Sequence, residues 1–360
     1  MKIRSATIVN FRGIRELHLD FVNSRTGQVR DLTCLIGDNG SGKTTALQAI
    51  ALVLSMATRK TSRFEDLNWH GFIPERVSSL GSTMVELEVE FSDDEIATTV
   101  LLWNEWAAMQ PAAFFLSASG FKERVIRLRL ERGVVSSPNG IELLDFFLGR
   151  FRAKSMLRSR PELQHTLTRV GDVFWFDQYR NISVVNELFE LDKRPIASWQ
   201  SGVEQLREYL VGWWGYHTSR THANGKDYIP LLEQRFERLF PGTKFIGIAP
   251  RANAVDLKSS DFYFLLERDG RVYDIAEMSS GEQAIFPLIY EFVRLDISRS
   301  VVLIDELEMH LHPPQQQALL GSLKEIGPDC QFIITTHSAH LTDVIPNEQE
   351  IRLPGGSLCL

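Results

Sequence analysis

The chain has 360 residues, of which 44% are hydrophobic and 24% charged, as is ordinary for a soluble globular protein with a sizeable core. Its net charge of −7 excludes a uniformly basic nucleic-acid binder, so contact with DNA or RNA would need a local basic patch. Three widely separated cysteines predict neither a disulfide framework nor a zinc cluster, and favour the cytoplasm. The N-terminus lacks the apolar core of a signal peptide, and the most apolar stretch, residues 46–57, is too short to span a membrane, so we expect no membrane partner.

Taken in chain order, the predicted elements mix strands with helices. Residues 2–10 and 17–21 alternate apolar and polar side chains as half-buried strands do, and the apolar run 32–36 leads through a glycine-rich loop into a helix over 44–55. The later predicted strands cover residues 84–91, 125–130, 173–176, 261–266, 272–275, 301–304 and 332–335, and the later helices cover 92–109, 186–214, 229–240 and 282–295. We find no internal repeat or heptad run, so we expect an α/β fold with a mixed sheet and no coiled-coil arm.

The loop between the strand at 32–36 and the helix at 44–55 has the composition of a phosphate-binding loop. Its sequence is Gly37-Asp38-Asn39-Gly40-Ser41-Gly42-Lys43-Thr44. The glycines let the backbone wrap phosphates, and the helix that follows adds its positive end. Lys43 should reach the β- and γ-phosphates of ATP, and the Thr44 hydroxyl should bind Mg²⁺. A chance glycine-rich turn is the alternative. The predicted nucleotide-binding residues are Gly37, Asn39, Gly40, Ser41, Gly42, Lys43, Thr44 and Thr45.

A second motif is the apolar strand 301–304, which ends in Asp305 and Glu306. A buried strand of this kind delivers carboxylates to the edge of the sheet where ligands bind in open α/β folds. Asp305 is placed to hold the Mg²⁺ shell, and Glu306 is placed to orient or deprotonate the attacking water. The alternative is an ordinary core strand with an acidic end.

A third motif precedes the helix at 282–295. Met278-Ser279-Ser280-Gly281-Glu282-Gln283 resembles the signature element of ABC-type ATPases, in the form common among relatives of the RecF, SMC and OLD proteins. A small hydroxyl and a glycine at a helix N-terminus suit a phosphate. The resemblance implies that Ser279, with Gly281, completes the ATP site of a second protomer and takes part in catalysis there. A plain helix cap made by Ser280 and Gln283 is the alternative.

The same resemblance assigns three further residues. His337, after the apolar strand 332–335, is similar to the switch histidine that contacts the γ-phosphate and takes part in catalysis. Gln178 follows the strand 173–176 as the Q-loop glutamine does, which implies a place at the Mg²⁺ site. Arg12, in Asn10-Phe11-Arg12-Gly13, is similar to the arginine that approaches the nucleotide in RecF-like and SMC-like heads. Each has a simpler alternative, namely a core or surface group without a role in the site.

Two closely spaced histidines, His310 and His312, could indicate a metal site, but the resemblance favours another interpretation. The segment Glu308-Met309-His310-Leu311-His312-Pro313 resembles the D-loop, which meets the other protomer in related ATPases. Leu307 departs from that pattern, because a proline is usual at this position. We therefore predict a protomer contact here and no metal.

The spacing of the motifs indicates which class of ABC-type ATPase the chain resembles. The stretch between Lys43 and Ser279 is longer than in transporter ATPase subunits, which disfavours that class. We expect one ABC-type ATPase domain over residues 1–360, with inserted strands and a helical lobe over about 95–250. The signature, Walker B and switch-histidine half should cover 251–360. The short stretch after His337 predicts no Toprim nuclease domain, unlike the OLD nucleases.

The resemblance leaves two functions open. The first is an ATPase that forms a homodimer or higher even oligomer around ATP and regulates a separate nuclease or toxin effector, as in stand-alone ATPases of anti-phage systems such as the PtuA subunit of Septu. The second is a RecF-like, ATP-dependent DNA-binding clamp of repair or recombination. A basic segment with no acid between Asp145 and Glu162 could contact nucleic acid, and could equally be a solvated loop or a partner dock. Its basic residues are Arg150, Arg152, Lys154, Arg158 and Arg160.

Overall fold

The computed structural model of the chain describes residues 1–67, 69, 71–110, 123–178, 199–219, 226–251 and 258–353. Its strands are, in chain order, β1 (Lys2–Phe11), β2 (Ile14–Asp20), β3 (Leu32–Ile36), β4 (Met84–Glu90), β5 (Val125–Glu131), β6 (Val134–Ser136), β7 (Val173–Phe176), β8 (Lys244–Pro250), β9 (Phe262–Arg268), β10 (Arg271–Asp274), β11 (Val301–Ile304), β12 (Gln331–Thr336) and β13 (Glu350–Arg352). Its helices are α1 (Lys43–Ala57), α2 (Asp93–Ala108), α3 (Gly149–Met156), α4 (Trp199–His217), α5 (Ile229–Leu239), α6 (Ser280–Arg294), α7 (Pro313–Ile326) and α8 (Ala339–Thr342).

A parallel sheet forms the centre of the described structure. Its five strands run in the order β13-β3-β12-β11-β7, and each neighbouring pair is parallel. Every residue of β7, β11 and β12 is buried, because both faces of the sheet are covered. Parallel strands end at one edge, so the segments that follow β3, β7, β11 and β12 lie side by side. That edge therefore brings together the glycine-rich loop, Gln178, the Asp305-Glu306 pair and His337.

Alternate side chains of the parallel strands enter two hydrophobic cores. Val301, Leu303 and Ile333 belong to one core, which also contains α1 and the inner face of the antiparallel sheet. Val302 and Ile334 belong to the other, with side chains of α4, α5, α6 and α7. Burial on both faces explains why these strands read as continuous apolar runs in the sequence.

An antiparallel sheet covers the helix that follows the glycine-rich loop. Its strands run in the order β2-β1-β4-β5-β6, with antiparallel pairing throughout. On β4, Val85, Leu87 and Val89 are fully buried and alternate with half-buried polar side chains. Helix α1 is buried along nearly its whole length between this sheet and the parallel sheet. The two sheets therefore fix the direction of the α1 N-terminus.

A third sheet, in the order β10-β9-β8, leads the chain into the signature helix. Asp269 and Gly270 join β9 to β10 with positive φ angles of 52° and 76°, as a two-residue hairpin turn requires. Arg207 of α4 forms a buried ion pair with Asp274 at the end of β10, at 2.6 Å. A short 3₁₀ turn, Ile275–Glu277, then connects to α6. The buried ion pair thus anchors the approach to the signature segment.

The described structure bears on two expectations about domain organisation. The predicted interval of inserted strands and helices, about 95–250, includes β7, a strand of the central sheet. The domain boundaries themselves remain a prediction. The predicted helix 186–214 falls partly outside the described residues, and α4, its described part, begins at Trp199. Within the described ranges, no helix combines the length and the apolar character needed to cross a membrane.

Candidate active site

The glycine-rich loop between β3 and α1 has the geometry of a phosphate cradle. Gly40 and Gly42 adopt positive φ angles of 81° and 92°, which residues with a Cβ rarely take. Lys43 is only 8% exposed, and its Nζ donates hydrogen bonds to the carbonyl oxygens of Gly37 (2.7 Å) and Asp38 (3.1 Å). The ammonium group therefore lies within the curve of the loop, next to the positive end of α1.

The other loop residues divide into a buried base and an exposed tip. A Cβ added to Gly37 would lie 2.6 Å from the Ser41 Oγ, so a side chain at this position would displace the loop. Ser41 is buried, Thr45 is half-buried on the first turn of α1, and Asn39 is exposed at the tip. Their contacts with a nucleotide remain a prediction.

A hydrogen-bond network joins the loop to the acidic end of β11. The Thr44 hydroxyl lies 3.0 and 2.9 Å from the two carboxylate oxygens of Asp305. Thr335, on β12, donates its hydroxyl to Asp305 Oδ1 (2.6 Å) and accepts the backbone N–H of Glu306 (2.8 Å). Thr335 is fully buried, and Asp305 is 2% exposed. The two predicted Mg²⁺ ligands, Thr44 and Asp305, therefore meet although 261 residues separate them.

The Thr44–Asp305 pair suits Mg²⁺ bound together with a nucleotide. A hydroxyl and a carboxylate are oxygen ligands, and Mg²⁺ in phosphoryl-transfer sites binds to few protein groups, with phosphate oxygens and waters completing its shell. Among the described residues, no group of three or more His, Cys, Asp or Glu side chains could hold a metal by itself. Gln178 lies two residues beyond β7, whose Phe176 carbonyl accepts the Asp305 N–H at 2.9 Å. The role of Gln178 at the metal remains a prediction.

Glu306 has the properties of a group that could accept a proton from water. Burial and, next, the neighbouring Asp305 carboxylate raise the pKa of Glu306, whereas His337 and Lys43 act in the opposite direction. Its backbone takes a positive φ of 48°, which is uncommon for a residue with a side chain. A raised pKa makes an ionised carboxylate a stronger general base.

His337 is oriented by an acid of the segment that follows β11. The backbone N–H of His337 donates to Glu308 Oε1 at 2.8 Å, and its Nδ1 lies 3.1 Å from the same oxygen. Glu308 is 8% exposed, whereas the side chain of His337 is 51% exposed. The His337 side chain therefore reaches the surface at the site, while its backbone N–H and its Nδ1 are held by the buried Glu308 carboxylate. From the sequence, Glu308 was predicted only as part of the D-loop segment, with no contact to His337.

The signature segment forms an N-cap, through residues other than those of the cap considered as the alternative. Ser279 is the cap of α6: its N–H and hydroxyl donate to Glu282 Oε2 at 2.8 and 2.7 Å, and the Glu282 N–H donates back to the Ser279 Oγ at 3.4 Å. The alternative cap of Ser280 with Gln283 is therefore wrong. Ser279 and Ser280 are both exposed. Gly281 is buried, and a Cβ added there would lie 3.0 Å from Gln315 Oε1 of α7.

Arg12 lies in the β1–β2 turn and contacts the helix of the phosphate loop. Its guanidinium donates to Gln48 Oε1 on α1 and to the Gly71 carbonyl (2.7 Å), and it lies 5.9 Å above the Phe72 ring. Gln48 is one turn beyond Thr44 on α1. The predicted approach of Arg12 to the nucleotide remains a prediction.

The two histidines of the predicted D-loop are exposed. His310 has a positive φ of 62°, and His312 is the N-cap residue of α7. The His312 backbone N–H donates to Gln315 Oε1 at 3.3 Å. Gln315 is also the residue that lies against Gly281, so the D-loop helix and the signature helix touch within one chain.

Three arginines of the basic segment are engaged by other groups of the protein. Arg150 and Arg152 are only 2% and 4% exposed. Arg150 lies 3.8 Å from Asp172, and Arg152 forms an ion pair with Asp145. Arg160 pairs with two carboxylates. Of the alternatives left open for this segment, contact with nucleic acid does not suit Arg150 and Arg152, because both side chains are buried and lie next to carboxylates of the same chain.

Two sheets enclose the phosphate-loop helix, and the edge of the parallel sheet carries groups that could act on phosphates, as the resemblance to ABC-type ATPases implies. The predicted ABC-type head is confirmed, although its strands form separate parallel and antiparallel sheets instead of one mixed sheet. The sequence matches two families, described as "AAA domain, putative AbiEii toxin, Type IV TA system" over residues 141–343 and "AAA ATPase domain" over residues 1–173. The first match covers more than half of the chain, and the chain belongs to this family of ATPase domains.

Several relatives are named as ATPases or as proteins of the Septu system. The chain is 30% identical to the "Retron Vc95 probable ATPase" of Vibrio cholerae serotype O1 biovar El Tor, over 97% of this chain and 73% of that protein. It is 25% identical to the "Retron Ec83 probable ATPase" of Escherichia coli, over 48% of this chain and 32% of that protein. It is 23% identical to "Septu protein PtuA" of Bacillus mycoides (strain KBAB4), over 93% of this chain and 38% of that protein. The matches thus span about a third of the Ec83 and Septu relatives.

Solved structures of SMC heads are similar over most of the chain. The crystal structure of the SmcHead bound to the C-winged helix domain of ScpA is 18% identical, with a TM-score of 0.49 over 95% of this chain and 91% of that one. The SMC head domain from Thermotoga maritima is 16% identical, with a TM-score of 0.44 over 95% of this chain and 92% of that one.

Proposed function

We propose that this chain hydrolyses ATP in composite sites formed by two copies of itself, and that ATP-dependent assembly regulates a separate nuclease or toxin effector in anti-phage defence. The observation that supports the ATP site most strongly is the direct contact between Thr44 and Asp305. It joins a phosphate loop to an acidic strand end, at the sheet edge where Glu306 and His337 also lie.

Each residue of this edge has a distinct chemical role in the proposal. Lys43 and the loop N–H groups bind the β- and γ-phosphates, and Thr44 with Asp305 holds Mg²⁺. The metal supplies positive charge that offsets the charge developing on the phosphate oxygens. Glu306 takes a proton from the attacking water, and His337 stands beside the γ-phosphate.

The second copy enters the proposal through Ser279. This serine caps α6 with its side chain at the surface, and its hydrogen bonds go to Glu282 of the same helix. An exposed helix N-terminus with a hydroxyl is a suitable partner for a phosphate that another molecule presents. We therefore assign Ser279 and Gly281 to the ATP held by a facing protomer. Gln178 and Arg12 are proposed to contact the metal site and the nucleotide within their own protomer.

The defence role rests on similarity to named relatives. The chain covers most of the Vc95 retron ATPase and resembles Septu PtuA along 93% of its own length. An ATPase of this kind, acting in the cytoplasm, would control a partner that carries the destructive activity.

A RecF-like DNA clamp is the alternative function. Its support from the sequence was the basic segment, and the burial of Arg150 and Arg152 removes much of that support. A salt-sensitive affinity for DNA that appears only with ATP would favour the clamp. A nuclease or toxin that co-purifies with the Glu306→Gln variant, and not with Lys43→Ala, would favour the defence role.

The ATP site is tested by Glu306→Gln, which keeps the size of the side chain and removes the proposed base. We expect this variant to bind ATP, to hydrolyse it about 100-fold or more slowly, and to accumulate as a stable dimer. Lys43→Ala is the control and should bind ATP weakly and stay at the mass of the ATP-free protein. Bound nucleotide and mass are measured together by light scattering after gel filtration. Hydrolysis by Glu306→Gln at the wild-type rate would exclude Glu306 as the base.

A further inference from the structure

A buried carboxylate controls the geometry of the signature serine. Glu282 is 4% exposed, and its Oε2 accepts both the N–H (2.8 Å) and the hydroxyl (2.7 Å) of Ser279. Its Oε1 accepts the Tyr273 hydroxyl at 2.8 Å. Both oxygens are therefore engaged, one by the exposed helix N-terminus and the other by the β9–β10 hairpin.

Further polar contacts surround the hairpin side of this hydrogen bond. Burial raises the pKa of Tyr273, so its hydroxyl stays protonated and acts as the donor to Glu282. Arg268, across the hairpin, places a guanidinium nitrogen 3.7 Å from the same carboxylate oxygen. The next residue, Asp274, is fixed by its buried ion pair with Arg207. Tyr273 and Arg268 thus partly offset the charge of Glu282 at Oε1, the oxygen that does not accept from Ser279.

The Ser279 hydroxyl has a single hydrogen, and in this conformation it is donated to Glu282. A phosphate oxygen accepts hydrogen bonds and does not donate them, so it cannot bind the lone pairs that remain. The hydroxyl must rotate away from Glu282 before it can bind a γ-phosphate. The negative charge of Glu282 also repels that phosphate.

We propose that Glu282 is a positioning residue that holds the Ser279 hydroxyl until the ATP of a second protomer arrives, and that Tyr273 sets how readily it is released. Tyr273 and Ser279 donate to the same carboxylate, so the hydrogen bond from Tyr273 stabilises its charge and weakens its hold on Ser279. This inference rests on the proposed composite site. Under this proposal, each chain must break its own Ser279–Glu282 hydrogen bond to dimerise. Residues of the β9–β10 hairpin set how much that step disfavours dimerisation.

Two substitutions should shift assembly in opposite directions. Glu282→Gln can still accept from Ser279 through its amide oxygen and donate to the Tyr273 oxygen, but it lacks the charge. We expect it to lower the protein concentration needed for ATP-dependent dimerisation. Tyr273→Phe leaves the carboxylate more basic and should raise that concentration. Each shift should be about three- to tenfold, the range of one hydrogen bond.

The measurement is sedimentation of both variants in the Glu306→Gln background, at saturating ATP and Mg²⁺, across a series of protein concentrations. Tyr228→Phe and Glu267→Gln are matched controls. The Tyr228 hydroxyl accepts from Gln164 (3.3 Å), and Glu267 lies on β9 outside this contact. Neither control should shift the dimerisation midpoint.

A structural role alone would move both variants in the same direction, because each would only weaken the fold around α6. Shifts of equal sign, or shifts no larger than those of the controls, would overturn the inference. If Tyr273→Phe lowers the urea midpoint of unfolding, Arg268→Gln replaces it, with the same expected direction, since Arg268 is more exposed. Failure of the Glu306→Gln parent to dimerise would instead refute the composite site itself.

Discussion

Replacing Thr335 with valine removes one hydroxyl from the junction of β11 and β12 and leaves the shape of the side chain nearly unchanged. That hydroxyl makes two hydrogen bonds: it donates to Asp305 Oδ1 at 2.6 Å and accepts the Glu306 N–H at 2.8 Å. Both bonds are lost in Thr335→Val, and no other group of Thr335 can replace them.

The expected loss of stability follows from these two bonds. A hydrogen bond to a charged group contributes about 1.5–3 kcal/mol net, and a buried N–H left without a partner costs about 1–3 kcal/mol. The Thr44 hydroxyl still donates to Asp305, and water can reach the half-buried Glu306, so part of the penalty is relieved. We therefore expect Thr335→Val to lower the free energy of unfolding by about 2–5 kcal/mol.

Thr33→Val is a matched control in the same sheet. Thr33 lies on β3, which pairs with β12, and it is fully buried. Its hydroxyl has no hydrogen-bond partner in the described structure. Removing it should leave stability unchanged or raise it by about 1 kcal/mol, because an unsatisfied buried group is lost.

Both variants are compared with the wild type by urea unfolding without nucleotide, with tryptophan fluorescence as the signal. The difference between the two valine substitutions isolates the hydroxyl network from the general effect of the exchange. Equal midpoints for Thr335→Val and Thr33→Val would refute the claim that this network stabilises the acidic end of β11.

Three further predictions follow from packing and burial. Gly37→Ala places a Cβ 2.6 Å from the Ser41 Oγ and should weaken ATP binding at least about tenfold in a nucleotide titration, whereas Gly321→Ala, which meets open space, should not. Arg150→Ala should lower the free energy of unfolding by about 3–5 kcal/mol, because it breaks a buried ion pair. Arg158 is exposed, so Arg158→Ala should change the free energy of unfolding by less than about 0.5 kcal/mol in the same urea assay. Burial lowers the pKa of Lys60 to about 8 in the folded protein. Between pH 8 and the ordinary pKa of lysine, the unfolded chain therefore binds more protons than the folded chain. The free energy of unfolding should rise with pH over this window. Lys60→Met should abolish that rise in unfolding experiments from pH 7 to 10, and a rise of equal size in the variant would contradict the assignment.

The sequence predicted the central strands and the phosphate loop because their signals are local. β7 and β11 were placed at their observed limits, since continuous apolar runs bounded by polar residues leave little choice of register. The elements that were missed have weak local signals. β8 is interrupted by Gly247, where its pairing with β9 shifts register, and α7 opens with two prolines and three glutamines.

The contacts that were missed depend on partners far away in sequence. Arg150 and Arg152 resemble a solvated basic run, and only their carboxylate partners in the fold explain their burial. Thr335 precedes His337 by two residues on the strand beside β11, a position that could have suggested contact with Asp305. No comparable local signal links Tyr273 to Ser279, because Glu282 joins them only after the hairpin has packed against α6.

The composite site is tested most directly by mixing two variants that are each inactive. Lys43→Ala disables the phosphate loop, and Ser279→Asp keeps a good helix cap while placing a negative charge where the γ-phosphate of the facing protomer is expected. In a mixed head-to-tail dimer, one site combines an intact Lys43 from one chain with an intact Ser279 from the other. An equal mixture should therefore regain ATP hydrolysis, up to about a quarter of the wild-type rate per chain. A mixture no more active than its two components measured separately would contradict the account.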